Sequence, residues 1–213
     1  MKLISRLISN TTALLVGAAL SLAITTTARA DDDAGLFLKS LQEEAVSQLS
    51  DESISSEERE QQFRSLLTEN FDISGIAKFV VGKYWRKAED GPRSEFMTIF
   101  EDIMVQRFLP TFSKYAGSDF KITKVVKKKS FYIVFSKVKT EGGEPAQILW
   151  RIQAKENSGF VITDIAAEGI SLRSTYKSDY TSALKSLGGD LSALNGKLRK
   201  KIKSGDFAPK ENG

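Results

Sequence analysis

The chain has 213 residues with 31 Lys+Arg, 27 Asp+Glu, and neither histidine nor cysteine. Those absences exclude a Ser-His-Asp triad, a cysteine nucleophile, disulfides and the usual zinc ligand sets. Carboxylate pairs, Ser-Lys pairs and carboxylate metal sites are the chemistries left open.

The N-terminus has the pattern of a secretory signal. Lys2 and Arg6 form a positive start, and residues 11–25 are an apolar run too short for the ~20 residues of a spanning helix. Ala28-Arg29-Ala30 then fits the small-x-small cleavage pattern. Cleavage after Ala30 is expected, which puts the domain at 31–203 and a flexible tail at 204–213. Removing residues 1–30 leaves 28 bases against 27 acids, so the basic character of the whole chain says little about nucleic acid. The charge is unevenly placed. Residues 31–72 carry twelve acids and three bases, whereas 121–151 carry eight bases and two acids.

The first predicted element is an amphipathic helix over 34–50, with Leu36, Phe37, Leu41, Val46 and Leu49 along one side. Ser55 and Glu58 form a capping box that opens a second helix to about Glu69. Asp72 caps a short third helix that Gly82 ends. Pro92 suits the first turn of a long helix carrying Phe96, Ile99, Phe100, Ile103 and Met104. The pattern then changes to four strands, 119–127, 131–139, 148–154 and 160–166, joined by short turn-like segments as an antiparallel meander. Phe131, Ile133 and Phe135 share one face of the second strand; Ile148, Trp150 and Ile152 share one face of the third. A helix returns at 172–187, and Asp190 caps a last one whose basic end complements its dipole. This order reads as one α+β domain.

Few motifs carry chemistry. Ser174 and Lys177 spell S-x-x-K, but Ser118/Lys121 and Ser182/Lys185 repeat the spacing, and the partner motifs of penicillin-recognising enzymes are absent. Asp164 and Glu168 offer a general acid and base, against the commoner role of capping or pairing. The run Lys127-Lys128-Lys129 beside Phe131 and Tyr132 reads first as a solvated hairpin tip; as a functional feature it suits anionic head groups or an acidic partner better than nucleic acid, which an exported protein rarely meets.

Two segments resemble a known family. Residues Phe79 to Ala88 (FVVGKYWRKA) are similar to the LG-x-YWR-x-A signature of the MlaC, or toluene-tolerance auxiliary, family. Residues Ile162 to Leu172 (ITDIAAEGISL) resemble its D-V…E-G-V-S-L signature, and Tyr176 to Tyr180 follows where the family has Y-R-S-x-F. Lys177, Tyr180, Phe160 and Pro92 depart from the usual residues. The resemblance covers about residues 35–203.

It implies a nuclear-transport-factor-like cone, in which a curved four-stranded antiparallel sheet closes against helices around an apolar pocket. It also implies a periplasmic phospholipid carrier that serves outer-membrane lipid asymmetry and is not an enzyme. Such a carrier needs no cofactor. Its partners are an outer-membrane lipoprotein–porin complex and an inner-membrane ABC transporter with a lipid-binding ring. A branch of the family associated with hopanoids remains open. So do an adaptor that binds only proteins and a hydrolase on the same fold, which the lack of histidine weakens. The expected lining is Phe79, Tyr84, Trp85, Phe96, Phe100, Ile103, Phe108, Phe135, Ile148, Trp150, Ile152, Ile165, Ile170, Leu172 and Tyr176. Wall and core both demand apolar side chains, so the sequence does not separate them.

Overall fold

The computed structural model describes residues 26–115, 118–139, 144–156 and 159–209. Most of the expected signal (1–25) and the end of the expected tail (210–213) lie outside these residues, while 26–30 begin the first helix. The chain order is α1 (Thr26–Leu49), α2 (Ser56–Asn70), α3 (Ile73–Val81), α4 (Lys83–Lys87), α5 (Asp90–Tyr115), β1 (Phe120–Lys127), β2 (Tyr132–Val138), β3 (Ala146–Ala154), β4 (Phe160–Ala167), β5 (Ile170–Ser171), α6 (Leu172–Ser186) and α7 (Leu191–Lys203).

The helix starts follow local chemistry. Ser55 and Glu58 close the expected capping box: the Glu58 N–H donates to Ser55 Oγ (3.1 Å) and the Ser55 N–H to Glu58 Oε2 (2.8 Å). Asp72 accepts from the Gly75 N–H at 2.8 Å and Asp190 from the Ala193 N–H at 3.1 Å. Gly82 stands at φ +60° between α3 and α4, a conformation that disfavours any side chain. Pro92 falls in the first turn of α5.

The strands form one open antiparallel sheet in the order β1-β2-β3-β4-β5. It has five strands, not the expected four. The extra strand arises because Glu168 (φ +48°) and Gly169 (φ +79°) make a two-residue reversal with both residues left-handed. That geometry matches the strand twist and folds Ile170–Ser171 back onto β4.

Register corrects one expectation. Val134 pairs with Trp150, Tyr132 with Ile152 and Ser136 with Ile148, so these six share a face. Phe135 pairs with Leu149 and Ile133 with Arg151, which places the Phe131-Ile133-Phe135 row on the opposite face. β2 is apolar on both sides, so period two alone left its inward face undetermined.

α1 spans both halves of the molecule. Its buried stripe is Ala34, Leu38, Ala45 and Leu49, with Leu41 partly covered. Leu36, expected on that stripe, is 58% exposed. The early part of the stripe packs on the sheet with Tyr132, Val134, Ile152 and Ile162. The later part joins a helical core built around Phe63, Val80, Phe96, Phe100, Ile103, Leu184 and Leu194. Each fully buried side chain of this size contributes about 1.5–3 kcal/mol. Beyond α7, Phe207 also packs on the helical core.

Candidate functional site

The hydrophobic interior is two clusters with no buried residue in common. Among the described residues, Leu41 of α1 and Phe71, between α2 and α3, pack against both. Phe71 is held there by a bridge to Ile162 and by the Asp72 N–H donating to Ile162 O at 2.9 Å. A domain of this size usually has one contiguous core. Here the helical cluster and the cluster on the sheet, which takes in Ala34 and Leu38 of α1, are joined through Leu41 and Phe71. Partly buried apolar side chains pack on each: Trp150 and Ile165 on the sheet cluster, and Phe79, Phe108, Leu109, Phe112 and Leu172 on the helical one.

Most of the fifteen expected lining residues divide between the two clusters. Phe79, Tyr84, Trp85, Phe96, Phe100, Ile103, Phe108, Leu172 and Tyr176 belong to the helical cluster; Trp150, Ile152 and Ile165 belong to the sheet cluster. Ile148 shares the Trp150 face but packs against neither cluster's buried residues. Phe135 points to the other face, and Ile170 is 64% exposed on the β5 reversal, so neither joins the rest. Two hollows, of about 320 Å³ beside Glu95, Ile99 and Ile202 and about 370 Å³ beside Phe71, Ser74 and Val161, are lined by none of the fifteen.

On the helical side an aromatic layer faces inward. Phe96 and Phe100 recur at i,i+4 on α5, as do Tyr176 and Tyr180 on α6, so each pair falls on one helix face. The rings meet at 5.8 Å (Phe96–Phe100 and Phe96–Tyr180), 6.0 Å (Tyr176–Tyr180) and 6.3 Å (Phe100–Tyr176), in offset and edge-on geometries that ring quadrupoles favour. Both tyrosine hydroxyls are buried without a hydrogen-bond partner. Burial raises both above the ordinary phenol pKa, so both stay neutral donors. An unpartnered buried hydroxyl is destabilising. Tyr180→Phe is therefore expected to raise stability by about 1 kcal/mol in urea unfolding. A loss of stability instead would show that the hydroxyl has a partner in solution.

On the sheet side Trp150 is oriented by its indole N–H, which donates to the buried Ser136 Oγ at 2.9 Å, and by Phe120 edge-on at 6.4 Å. Sequence reasoning passed over Ser136, since a serine in an apolar strand reads as solvent-facing. It also left out Tyr180, which the i,i+4 spacing from Tyr176 signals.

Charged groups gather where α6 leaves the sheet. Asp164 accepts from Ser171 Oγ at 2.6 Å and from the Arg173 N–H at 3.1 Å, which is the capping role weighed for it above. Glu168 Oε1 accepts from the Gln147 N–H at 2.8 Å, 21 residues away in sequence. Neither carboxylate is set opposite the other as an acid–base pair. The S-x-x-K pair is likewise engaged: Ser174 Oγ lies 3.0 Å from Ser171 Oγ, and the Lys177 ammonium sits over the Phe79 ring at 4.3 Å. Among the described residues no three carboxylates cluster as metal ligands, and no helix is long and apolar enough to cross a membrane.

Fold and interior together define a single-domain α+β protein whose buried apolar residues fall into two clusters. The family model for the MlaC protein matches residues 39–200, and the chain belongs to that family. No curated protein matches the chain. Among solved structures it is similar to a phospholipid-binding protein from Ralstonia solanacearum, solved in complex with a phospholipid. The TM-score is 0.73 and the identity 16%, over 82% of this chain and 99% of that one. At that identity the likeness is one of fold.

Proposed function

We propose that the protein is a periplasmic phospholipid carrier, exported by a signal cleaved after Ala30. It takes acyl chains into the seam between the helical and sheet cores. It carries lipid between an outer-membrane lipoprotein–porin complex and an inner-membrane ABC transporter, as the family resemblance implies. The observation that carries this reading is the divided interior in a chain of the MlaC family: two cores bridged by Leu41 and Phe71, with half-buried aromatic and aliphatic side chains on both sides. The likeness of fold to a protein solved with phospholipid supports it.

The energetics explain why a carrier is needed. Exposing one methylene to water costs ~0.8 kcal/mol, so two chains of ~16 carbons cost on the order of 25 kcal/mol. A free lipid crosses water too slowly at that cost. Membrane and seam are both apolar, so transfer between them is nearly balanced and needs no covalent step. Half-buried seam residues can part for a chain with little loss, because they have little packing to give up.

The test is mass spectrometry of solvent extracts from protein purified without detergent after export. Stoichiometric phospholipid is the expected result, and hopanoid would assign the other branch of the family. Protein that carries no lipid and takes none from vesicles would overturn the carrier and favour a protein-binding adaptor.

A further inference from the structure

We infer that the outer face of strands β1–β3 docks the protein on an anionic bilayer surface, with lysines and one arginine reaching lipid phosphates around a patch of partly exposed apolar side chains. This docking does not depend on lipid being carried inside.

Register places the residues of this face. Val126 pairs with Ile133, and Phe135 with both Lys124 and Leu149, so these side chains stand on one side of the sheet. Phe131 joins them, with the Arg151 guanidinium stacked 3.6 Å over its ring. α1, which packs on β1 and β2, lies on the other side with Tyr132 and Val134. An antiparallel sheet with one face in water usually alternates apolar inside with polar outside. Here Val126, Phe131, Ile133, Phe135 and Leu149 are all partly exposed, and none of them belongs to either apolar cluster. A contiguous apolar patch rimmed by polar side chains marks an interaction surface.

The rim is of one sign. Lys121 and Lys137 are direct partners across β1 and β2, and Lys124 lies across from Phe135. Like charges set directly opposite one another destabilise a strand pair. All three lysines are exposed, and among the described residues neither they nor Arg151 form an ion pair. Asp164, the acid across from Arg151, has its oxygens engaged by Ser171 Oγ and the Arg173 N–H. The exposed turn Lys127-Lys128-Lys129 extends the positive charge at the Phe131 end. On the other side of the sheet lies α1, within the segment 31–72 that holds twelve acids against three bases. The molecule is therefore polarised, acidic on the α1 side and basic on the bare face of the sheet. Such a charge distribution turns the bare face toward an anionic surface. The pattern fits a bilayer better than an acidic protein. Flexible lysines without a fixed partner can follow phosphates that move, whereas a protein partner sets its charges in a fixed register. Surface binding to lipid grows with buried apolar area and with attraction to anionic heads, and this face supplies both.

Exported protein is spun down with vesicles of dioleoylphosphatidylcholine, with or without an equal part of dioleoylphosphatidylglycerol. The native protein is expected to pellet with the anionic vesicles, less so as salt is raised, and not with the neutral ones. Lipid taken up inside leaves the protein in the supernatant, so pelleting reads the surface alone and a failure of the carrier reading does not affect it. The Lys121→Gln/Lys124→Gln/Lys137→Gln variant should bind the anionic vesicles about tenfold or more weakly. Lys197→Gln/Lys200→Gln/Lys201→Gln on α7 removes the same charge elsewhere and should bind as the native protein does. Lys137→Glu faces Lys121 with an opposite charge, so it should raise the urea midpoint while weakening binding, which separates docking from folding. Equal losses in both triple variants, or full binding by the strand variant, overturns the face. A native protein that stays in the supernatant with anionic vesicles also overturns the docking and leaves the face to an acidic protein.

Discussion

Phe100→Ala is expected to lower the unfolding free energy by about 3–5 kcal/mol, the cost typical of emptying a buried phenylalanine position. Phe100 is fully buried and touches Phe96, Tyr176 and Tyr180 at once. Its loss leaves a cavity lined by rigid rings that cannot close over it. Urea unfolding followed by circular dichroism would read the shift in midpoint. A change under 1 kcal/mol would show that the aromatic layer is loosely packed and belongs to the pocket wall, not to the core. A carboxylate at the same position would be worse still, since a buried charge without a partner is more costly than a void.

Trp150→Asp has the opposite profile: a moderate effect on folding and a large one on lipid. Trp150 is partly exposed and packs at the margin of the sheet cluster. Its removal costs less than that of a fully buried aromatic, about 2 kcal/mol by scaling the usual range to its burial. The Ser136 hydroxyl loses the indole donor but keeps its acceptor, Ile148 O, at 3.5 Å. A carboxylate facing an acyl chain, however, must be desolvated whenever lipid enters, at a cost of several kcal/mol. Lipid recovered with the exported variant should therefore fall at least tenfold while the far-ultraviolet spectrum keeps its native form. Full lipid occupancy in a folded Trp150→Asp protein would move the chains to another surface. Comparing the two substitutions separates wall from core, which the list of apolar residues does not.

Much of the scaffold is local and was legible. Caps at Ser55, Asp72 and Asp190, the stop at Gly82 and the i,i+4 aromatics of α5 each depend on residues within one or two turns, so spacing alone reveals them. The four main strands were legible for the same reason, because short turn-rich connections isolate them. The composition, lacking histidine and cysteine, narrows the chemistry by itself. The two signature segments, Phe79 to Ala88 and Ile162 to Leu172, placed the chain in its family.

Other features depended on pairing between distant segments. The inward face of β2 was decided by the register that sets Val134 against Trp150, since Ile133 and Phe135 are as apolar as their neighbours. The true stripe of α1 uses Ala34 and Ala45, small residues whose burial follows from how closely the helix approaches the sheet and its neighbours. The separation of the interior into two clusters, and the meeting of Asp164 with Ser171 and the start of α6, follow from the way β4, β5 and α6 turn on one another. Local chemistry acts over one or two turns of chain, and so the sequence by itself determined the elements and the family. Which apolar face is covered, and which charges meet, are long-range outcomes of packing, and only the tertiary structure decided them.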